Sequence, residues 1–271
     1  MALTEFQRTV CRLIARQRQE SGESYVAGGV ALNTLTGSTR ISRDIDLFHD
    51  TTAAVAASWA ADRRLLESHG YHLRTQRERE AFVEAVVSRG HESVVMQWAT
   101  ESAFRFFPLM SHEDFGLTLH PFDLATNKVL ALVGRLEPRD WLDVINCHQR
   151  IQRLGYLAWA ASGKDPGFSP SAILEQAGRS ARYSAAEIAA LSFDGAPPDA
   201  AALSRQWHAM LQEAHGIVAA LPPAETGKCV LGERGELFTG DPARLREALT
   251  ARALRFHEGS IRGALPQLRA V

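Results

Sequence analysis

Residues 25–48 read YVAGGVALNTLTGSTRISRDIDLF, and this stretch decides how the chain is built. Tyr25-Val26-Ala27 is a short apolar run of the kind that forms a buried strand. Gly28-Gly29 interrupts it, and Val30 to Leu35 predict a short helix. A polar turn covers 37–43, and Ile45-Asp46-Leu47-Phe48 predicts a second strand. Side chains two apart on a strand share a face. Asp44 and Asp46 therefore stand side by side, while Ile45 and Leu47 point into a core. Adjacent carboxylates repel each other, and a cation between them relieves the repulsion. Carboxylate oxygens are hard ligands that suit Mg²⁺ or Mn²⁺. The Gly-Gly pair lets backbone N–H groups approach an anion, and the helix after it points its positive end there. Asp-x-Asp alone is commonly a solvated strand end or a helix cap, and Gly-Gly alone is commonly a turn. The order strand, Gly-Gly, helix, Asp-Ile-Asp, apolar strand is what singles this stretch out.

Outward toward the N-terminus, Leu3, Phe6, Val10, Leu13 and Ile14 recur at helical spacing, which predicts an amphipathic helix over 3–19 ended by Gly22. On the other side, 52–69 predicts an alanine-rich helix ending near Gly70, and Tyr71 to Arg74 a short strand. Phe82 to Ser88 and Val94 to Trp98 predict an antiparallel hairpin with a longer loop over 89–93. Val94, Met96 and Trp98 would share one face, with Val95 and Gln97 on the other. Pro121 opens a helical run through Arg135, and Pro138 opens another to about Arg153. Beyond residue 150 the pattern is almost wholly helical, with segments at 170–178, 184–191, 199–220 and 242–257. Residues 228–239 predict a small hairpin, and Asp241-Pro242 an N-cap and first turn.

The chain has 271 residues, 45% of them hydrophobic and 23% charged, enough for a sizeable core. Its formal net charge of −1 gives no overall electrostatic case for a nucleic-acid partner. Arg244, Arg246, Arg252, Arg255 and Arg262 bias the last segment toward basic, but Glu247 and Glu258 balance an ordinary amphipathic helix there. Cys11, Cys147 and Cys229 are widely spaced and odd in number, which argues against a disulfide framework and fits a cytoplasmic setting. No run reaches the roughly 18 apolar residues of a bilayer span. No membrane partner is therefore expected. The ten histidines show no compelling metal spacing, and neither a P-loop nor a nucleophile elbow is present.

A second segment completes the pattern. Residues 122–144 read FDLATNKVLALVGRLEPRDWLDV, with Asp123 and Lys128 at the start of one helix and Arg139-Asp140 with Asp143 on the next. Read alone, Lys128 is better explained as a surface lysine on a helix, and Asp140 is as well explained as first-turn helix charge. Taken in order and spacing, 25–48 and 122–144 resemble the AbiEii/AbiGii toxin family, within the DNA polymerase β-type nucleotidyltransferase superfamily. The elements and this resemblance imply an α+β fold, a nucleotidyltransferase-type mixed sheet flanked by helices with a C-terminal helical bundle. The expected division is 1–150 for the nucleotidyltransferase-like domain and 151–271 for the helical one.

The resemblance also implies roles. Asp44 and Asp46 would hold the metal that engages a nucleoside triphosphate (NTP). Gly28, Gly29, Arg40, Ser42, Arg43, Asp123 and Lys128 would contact that NTP. Lys128, Asp140 and Asp143 would join the two aspartates in catalysis, with one acidic partner orienting Lys128 or acting as a base. Arg40, Ser42 and Arg43 are equally readable as solvated loop residues. One departure stands out. Where the superfamily supplies a third carboxylate from a later strand, this chain has Gln97, with Glu84 and Glu101 as nearby substitutes. The implied activity is transfer of a nucleoside monophosphate to an acceptor, with RNA and particularly tRNA as the class. The implied setting is a bacterial toxin–antitoxin or phage-defence module with a cognate antitoxin. Two other readings stay open. Gln97 favours a catalytically weakened relative that binds nucleotide or a protein, and the near-neutral charge admits a small-molecule nucleotidyltransferase.

Overall fold

A computed structural model describes residues 3–179 and 183–267. In chain order the elements are α1 (Glu5–Ser21), β1 (Ser24–Ala27), α2 (Gly28–Thr36), β2 (Asp44–His49), α3 (Thr52–Ser68), β3 (His72–Arg79), β4 (Phe82–Arg89), β5 (Glu92–Thr100), β6 (Phe104–Arg105), β7 (Met110–His112) and β8 (Gly116–Thr118). There follow α4 (Pro121–Arg135), α5 (Pro138–Arg150), α6 (Leu154–Ala161), α7 (Pro170–Gly178), α8 (Ala185–Ala189), α9 (Ala200–Ala220), a 3-10 turn (Pro223–Glu225), β9 (Cys229–Leu231), α10 (Pro242–Thr250), β10 (Arg255–His257) and β11 (Ser260–Ile261). The fold is mixed α+β. The chain divides into two compact units.

The first unit runs to Ala103 and takes in Leu109–His120 and Ser192–Gly195. Its centre is a seven-stranded sheet in the order β3-β4-β5-β2-β1-β8-β7. The β2–β5 and β1–β8 pairs are parallel and the rest antiparallel, so the sheet is mixed. Strand alternation sorts the two faces. Ile45, Leu47, Met96 and Trp98 are fully buried, each stabilising the fold by about 1.5–3 kcal/mol. α1 and α3 cover this face, and the Trp59 and Trp98 rings meet at 4.8 Å between centroids. α1 begins with a Thr4–Gln7 capping box, buries a Phe6, Val10, Cys11, Ile14 stripe, and ends at Gly22 with φ 66. That is the left-handed geometry a glycine C-terminus supplies.

Two readings of this unit are corrected. β3 is eight residues long rather than the short strand expected from Tyr71 to Arg74. Its remaining positions are mostly exposed charges, so no period-two pattern marked them. The β4–β5 connection is also tighter than expected, because Arg89 pairs directly with Glu92. Only Gly90 and His91 lie between them, and Gly90 has φ 63, as a two-residue turn with a leading glycine requires.

The second unit holds Phe104–Pro108, Pro121–Leu191 and the chain from Ala196 onward. It is mainly helical, with two small two-stranded sheets, β9–β10 and β6–β11. Pro121 and Pro138 start helices as expected. α6 is buried along its whole length, and Gly155 lets α9 come close: a side chain there would meet Ile217 Cβ at 2.6 Å. The helix expected over 242–257 stops at Thr250. Arg252 turns left-handed at φ 56, and Arg255–His257 becomes β10, paired with β9. The hairpin expected at 228–239 closes through the bridge Leu231↔Leu237, with Gly232 N–H on the Glu236 carbonyl and Phe238 N–H on the Val230 carbonyl, while β9 pairs with β10 along its other edge. Among the described residues no helix is long and apolar enough to cross a membrane.

Candidate active site

The Gly-Gly pair is the first turn of α2, which begins directly where β1 ends. Gly28 has φ 65, and a Cβ there would lie 1.8 Å from Asp46 Oδ2 and 2.7 Å from its Cγ. The Asp46 carboxylate therefore rests on the Gly28 backbone, and glycine is required both by dihedral and by space. A Cβ on Gly29 would lie 2.8 Å from both Arg40 Nη2 and Ser42 Oγ. The two glycines thus form a floor against which Asp46, Ser42 and the buried Arg40 are laid. β1–β2 pairing sets this register, since Ala27 is the partner of Asp46.

Asp44 and Asp46 lie two apart on β2 and share its half-buried face. Ser42 Oγ donates to Asp44 Oδ1 at 3.2 Å. Behind it, Gln7 of α1 donates from Nε2 to the Ser42 carbonyl at 2.9 Å, which anchors the loop. The loop is held from its other side by 192–195. Ile41 N–H bonds the Ser192 carbonyl at 2.9 Å, Asp194 N–H bonds the Thr39 carbonyl at 2.8 Å, and Arg40 bridges Phe193. Arg43 Nε reaches Ser192 Oγ at 3.4 Å. Neither Gln7 nor 192–195 carries a sequence signal for this role. A contact between positions some 150 apart leaves no local signal.

Along the sheet, Asp46 registers with Gln97 on β5, and Gln97 with Glu84 on β4. Gln97 Nε2 donates to Glu84 Oε2 at 2.9 Å, and Arg77 Nε lies 3.9 Å from Glu84 Oε1. Glu84 is therefore one strand beyond Gln97 and bonded to it. Glu101 lies past the end of β5 and is exposed. Among the described residues no group of three or more His, Cys, Asp or Glu side chains is placed to hold a metal. Asp44 and Asp46 still fit a hard divalent cation, for which two carboxylates suffice when phosphate and water complete the shell.

The second unit assembles a separate charged cluster. Lys128 Nζ lies 3.1 Å from Asp140 Oδ1 and 3.0 Å from Asp143 Oδ2. Both carboxylates are fully buried, and α5 presents them at i and i+3 to α4. Arg135 adds a forked contact to Asp140, with Nη2 at 3.0 and 2.8 Å from its two oxygens and Nε at 3.1 Å. Burial, then the Asp143 charge, pushes the nearby Cys147 thiol far up.

Asp123 is engaged elsewhere. Its oxygens accept the Phe106 and Phe107 backbone N–H groups at 2.8 and 3.0 Å, and Lys164 Nζ lies 2.7 Å away. With its side chain fully buried, this carboxylate is a clamp on the β6 segment.

The sheet order, the Gly-Gly helix start and the paired aspartates define the nucleotidyltransferase fold. Comparison with solved structures agrees. An H. pylori protein provisionally assigned as a nucleotidyltransferase aligns with a TM-score of 0.53 and 15% identity, over 81% of this chain and 99% of its own. JHP933 from Helicobacter pylori aligns with a TM-score of 0.50 and 15% identity, over 80% and 95%. The nucleotidyltransferase toxin MenT4 of Mycobacterium tuberculosis aligns at 0.48 with 12% identity over 81% and 85%, too distant to bear on this chain's chemistry. No family model and no curated protein matches the sequence.

Proposed function

We propose that this chain is a metal-dependent nucleotidyltransferase that moves a nucleoside monophosphate from an NTP to an acceptor. The observation that carries the reading is the Asp46 carboxylate seated on the Gly28 backbone at the start of α2, with Asp44 beside it on the same strand face. This joins a hard-cation ligand pair to a helix start whose N–H groups suit phosphate. A bound Mg²⁺ or Mn²⁺ would neutralise charge on the triphosphate oxygens. Asp44 and Asp46 would hold the metal, with Ser42 orienting Asp44. Gly28 and Gly29 would let the triphosphate approach the α2 N–H groups, while Arg40 and Arg43 would supply cationic donors to it.

Lys128 is proposed to be held in one rotamer by Asp140 and Asp143 and to serve as a fixed cation for phosphate. Asp140 and Asp143 then act as positioning residues. Asp123 would act within the second unit, by pinning the β6 segment to α4. We further propose that residues 1–150 carry the nucleotidyltransferase chemistry and that 151–271 form a mainly helical C-terminal domain. The resemblance to the AbiEii/AbiGii family supports RNA, particularly tRNA, as that acceptor, and a toxin–antitoxin or phage-defence setting with an antitoxin partner.

A second reading rests on Gln97. A neutral amide in the row of Asp46, bonded to Glu84, removes the carboxylate that helps activate an attacking hydroxyl in polymerase-type sites. On that reading the chain binds nucleotide without transferring it. Incubation with each labelled NTP, Mg²⁺ and total RNA separates the two. Transfer of label by the wild type, lost in a folded Asp46→Ala variant, is the expected result. Labelling retained by Asp46→Ala would remove the mechanism.

A further inference from the structure

At the other end of β1 and β2, on the sheet face opposite Asp44 and Asp46, lies a second polar cluster. Arg18, from the last turn of α1, is 1% exposed, and its Nε, Nη1 and Nη2 have no hydrogen-bond partner among the described residues. Its neighbouring charge is Asp62, whose Oδ2 lies 3.7 Å from Nη2, a charge contact longer than a hydrogen bond. Asp62 is occupied by others: Trp98 Nε1 donates to it at 2.9 Å and Ser58 Oγ at 3.5 Å. Gln17 Oε1, Ser24 Oγ and His49 Nε2 are also buried without a partner among the described residues. Ser24 and His49 face each other in the β1–β2 register, and both line the same cavity as Arg18, of about 200 Å³, with exposed Glu23 at its mouth.

The donor and acceptor roles can be assigned. His49 Nδ1 lies 3.2 Å from the Ala99 carbonyl, so the ring proton sits on Nδ1 and Nε2 is an acceptor. The cavity thus offers a planar guanidinium fork and a hydroxyl on the donor side. It offers an imidazole nitrogen and an amide oxygen on the acceptor side. A buried guanidinium with none of its N–H groups bonded is costly, and a ligand that both accepts and carries negative charge relieves that cost. Water can fill a polar cavity but adds no charge to the single long contact that Asp62 makes with Arg18. A cation is repelled by Arg18, and a fully deprotonated anion leaves His49 and Gln17 without a donor. A protonated oxyanion meets the four unpartnered residues: its oxygens match the guanidinium fork and the Ser24 hydroxyl, and its O–H reaches an acceptor, while Asp62 stays bonded to Trp98 and Ser58.

We propose that this cavity binds a small protonated oxyanion of the phosphate class. Arg18 and Ser24 are the donors, and His49 Nε2 and Gln17 Oε1 the acceptors. The site is independent of the carboxylate pair on β2. The test is a titration of the ¹⁵N-labelled full chain with sodium phosphate at constant ionic strength. The readout is the Trp98 indole N–H, assigned with Trp98→Phe, because it bonds Asp62 at the cavity wall. A saturable shift is expected, abolished in Arg18→Met and weakened about three- to tenfold in Ser24→Ala. Asp46→Ala, which disables the proposed transfer, should keep the saturable response, so the two readings fail separately. A linear drift without saturation, an adventitious ion only, overturns the proposal, and so does a response that survives Arg18→Met. If Arg18→Met does not fold, an unchanged affinity in Ser24→Ala overturns it.

Discussion

Gly28 and Asp46 constrain each other, and the constraint has a measurable size. Alanine at Gly28 meets a left-handed φ and a carboxylate oxygen 1.8 Å away, whereas alanine at Gly22 meets the same φ with open space around it. Gly22→Ala should cost about 1–2 kcal/mol from the dihedral alone. Gly28→Ala should cost about 1–3 kcal/mol more, because Asp46 must move. Urea melts of the two variants check this, and equal costs would mean that Asp46 does not rest on the glycine. His49 offers a second residue-scale prediction. Burial, its main cause, lowers the ring to about 4 from 6.5, helped by the Arg18 charge and opposed by the Ala99 carbonyl. Between these values the unfolded chain binds the proton and the folded chain does not. The sign follows: His49 makes stability rise with pH across that window. Its contribution is present in full above pH 6.5 and is lost as pH falls toward 4. The total is on the order of 3 kcal/mol. Melts of wild type and His49→Leu between pH 7.5 and 4.5, about the window named, should show the shallower slope in the variant. Parallel slopes would refute the buried neutral ring.

At the scale of elements, short segments of chain are pinned by single buried carboxylates. β6 is two residues long, yet Asp123 from α4 takes the two N–H groups that follow it and pairs with Lys164. Asp123→Asn keeps the shape but leaves Lys164 without its counter-charge. It should destabilise the protein by about 3 kcal/mol in urea unfolding. A near-neutral Asp123→Asn that only weakened nucleotide binding would instead return Asp123 to the ligand site. The readable elements were those whose pattern is local. β2 and β5 alternate cleanly, and Pro121, Pro138 and Asp241-Pro242 mark helix starts. α6, LGYLAWAA, is not legible as a separate helix because it is buried on every side and shows no amphipathic period. The far half of β3 is hidden in the sequence because an edge strand of charges has no buried face to reveal it.

For the whole molecule, the proposed site has a thermodynamic signature. A ligand that binds only the folded state stabilises it by about 2.7 kcal/mol at a hundred times its Kd. Mg²⁺ with NTP should therefore raise the melting temperature, and Mg²⁺ with EDTA, or Asp46→Ala with Mg²⁺, should not show the same rise for NTP. A rise that is indifferent to EDTA would place nucleotide binding outside the carboxylate pair.

The paired aspartates, the Gly-Gly helix start and most helix boundaries were set by local sequence. Side-chain period, backbone dihedral preference and capping act over a few residues and leave their mark within them. Tertiary structure alone decided that Gln7 and 192–195 secure the loop before Asp44, that Glu84 bonds Gln97, and that Arg135 joins Lys128 at Asp140. It also decided that Arg18 is buried beside Ser24 and His49, when its sequence reads as one more arginine on an amphipathic helix. These contacts depend on where packing brings distant backbone together, and no short-range pattern encodes that distance.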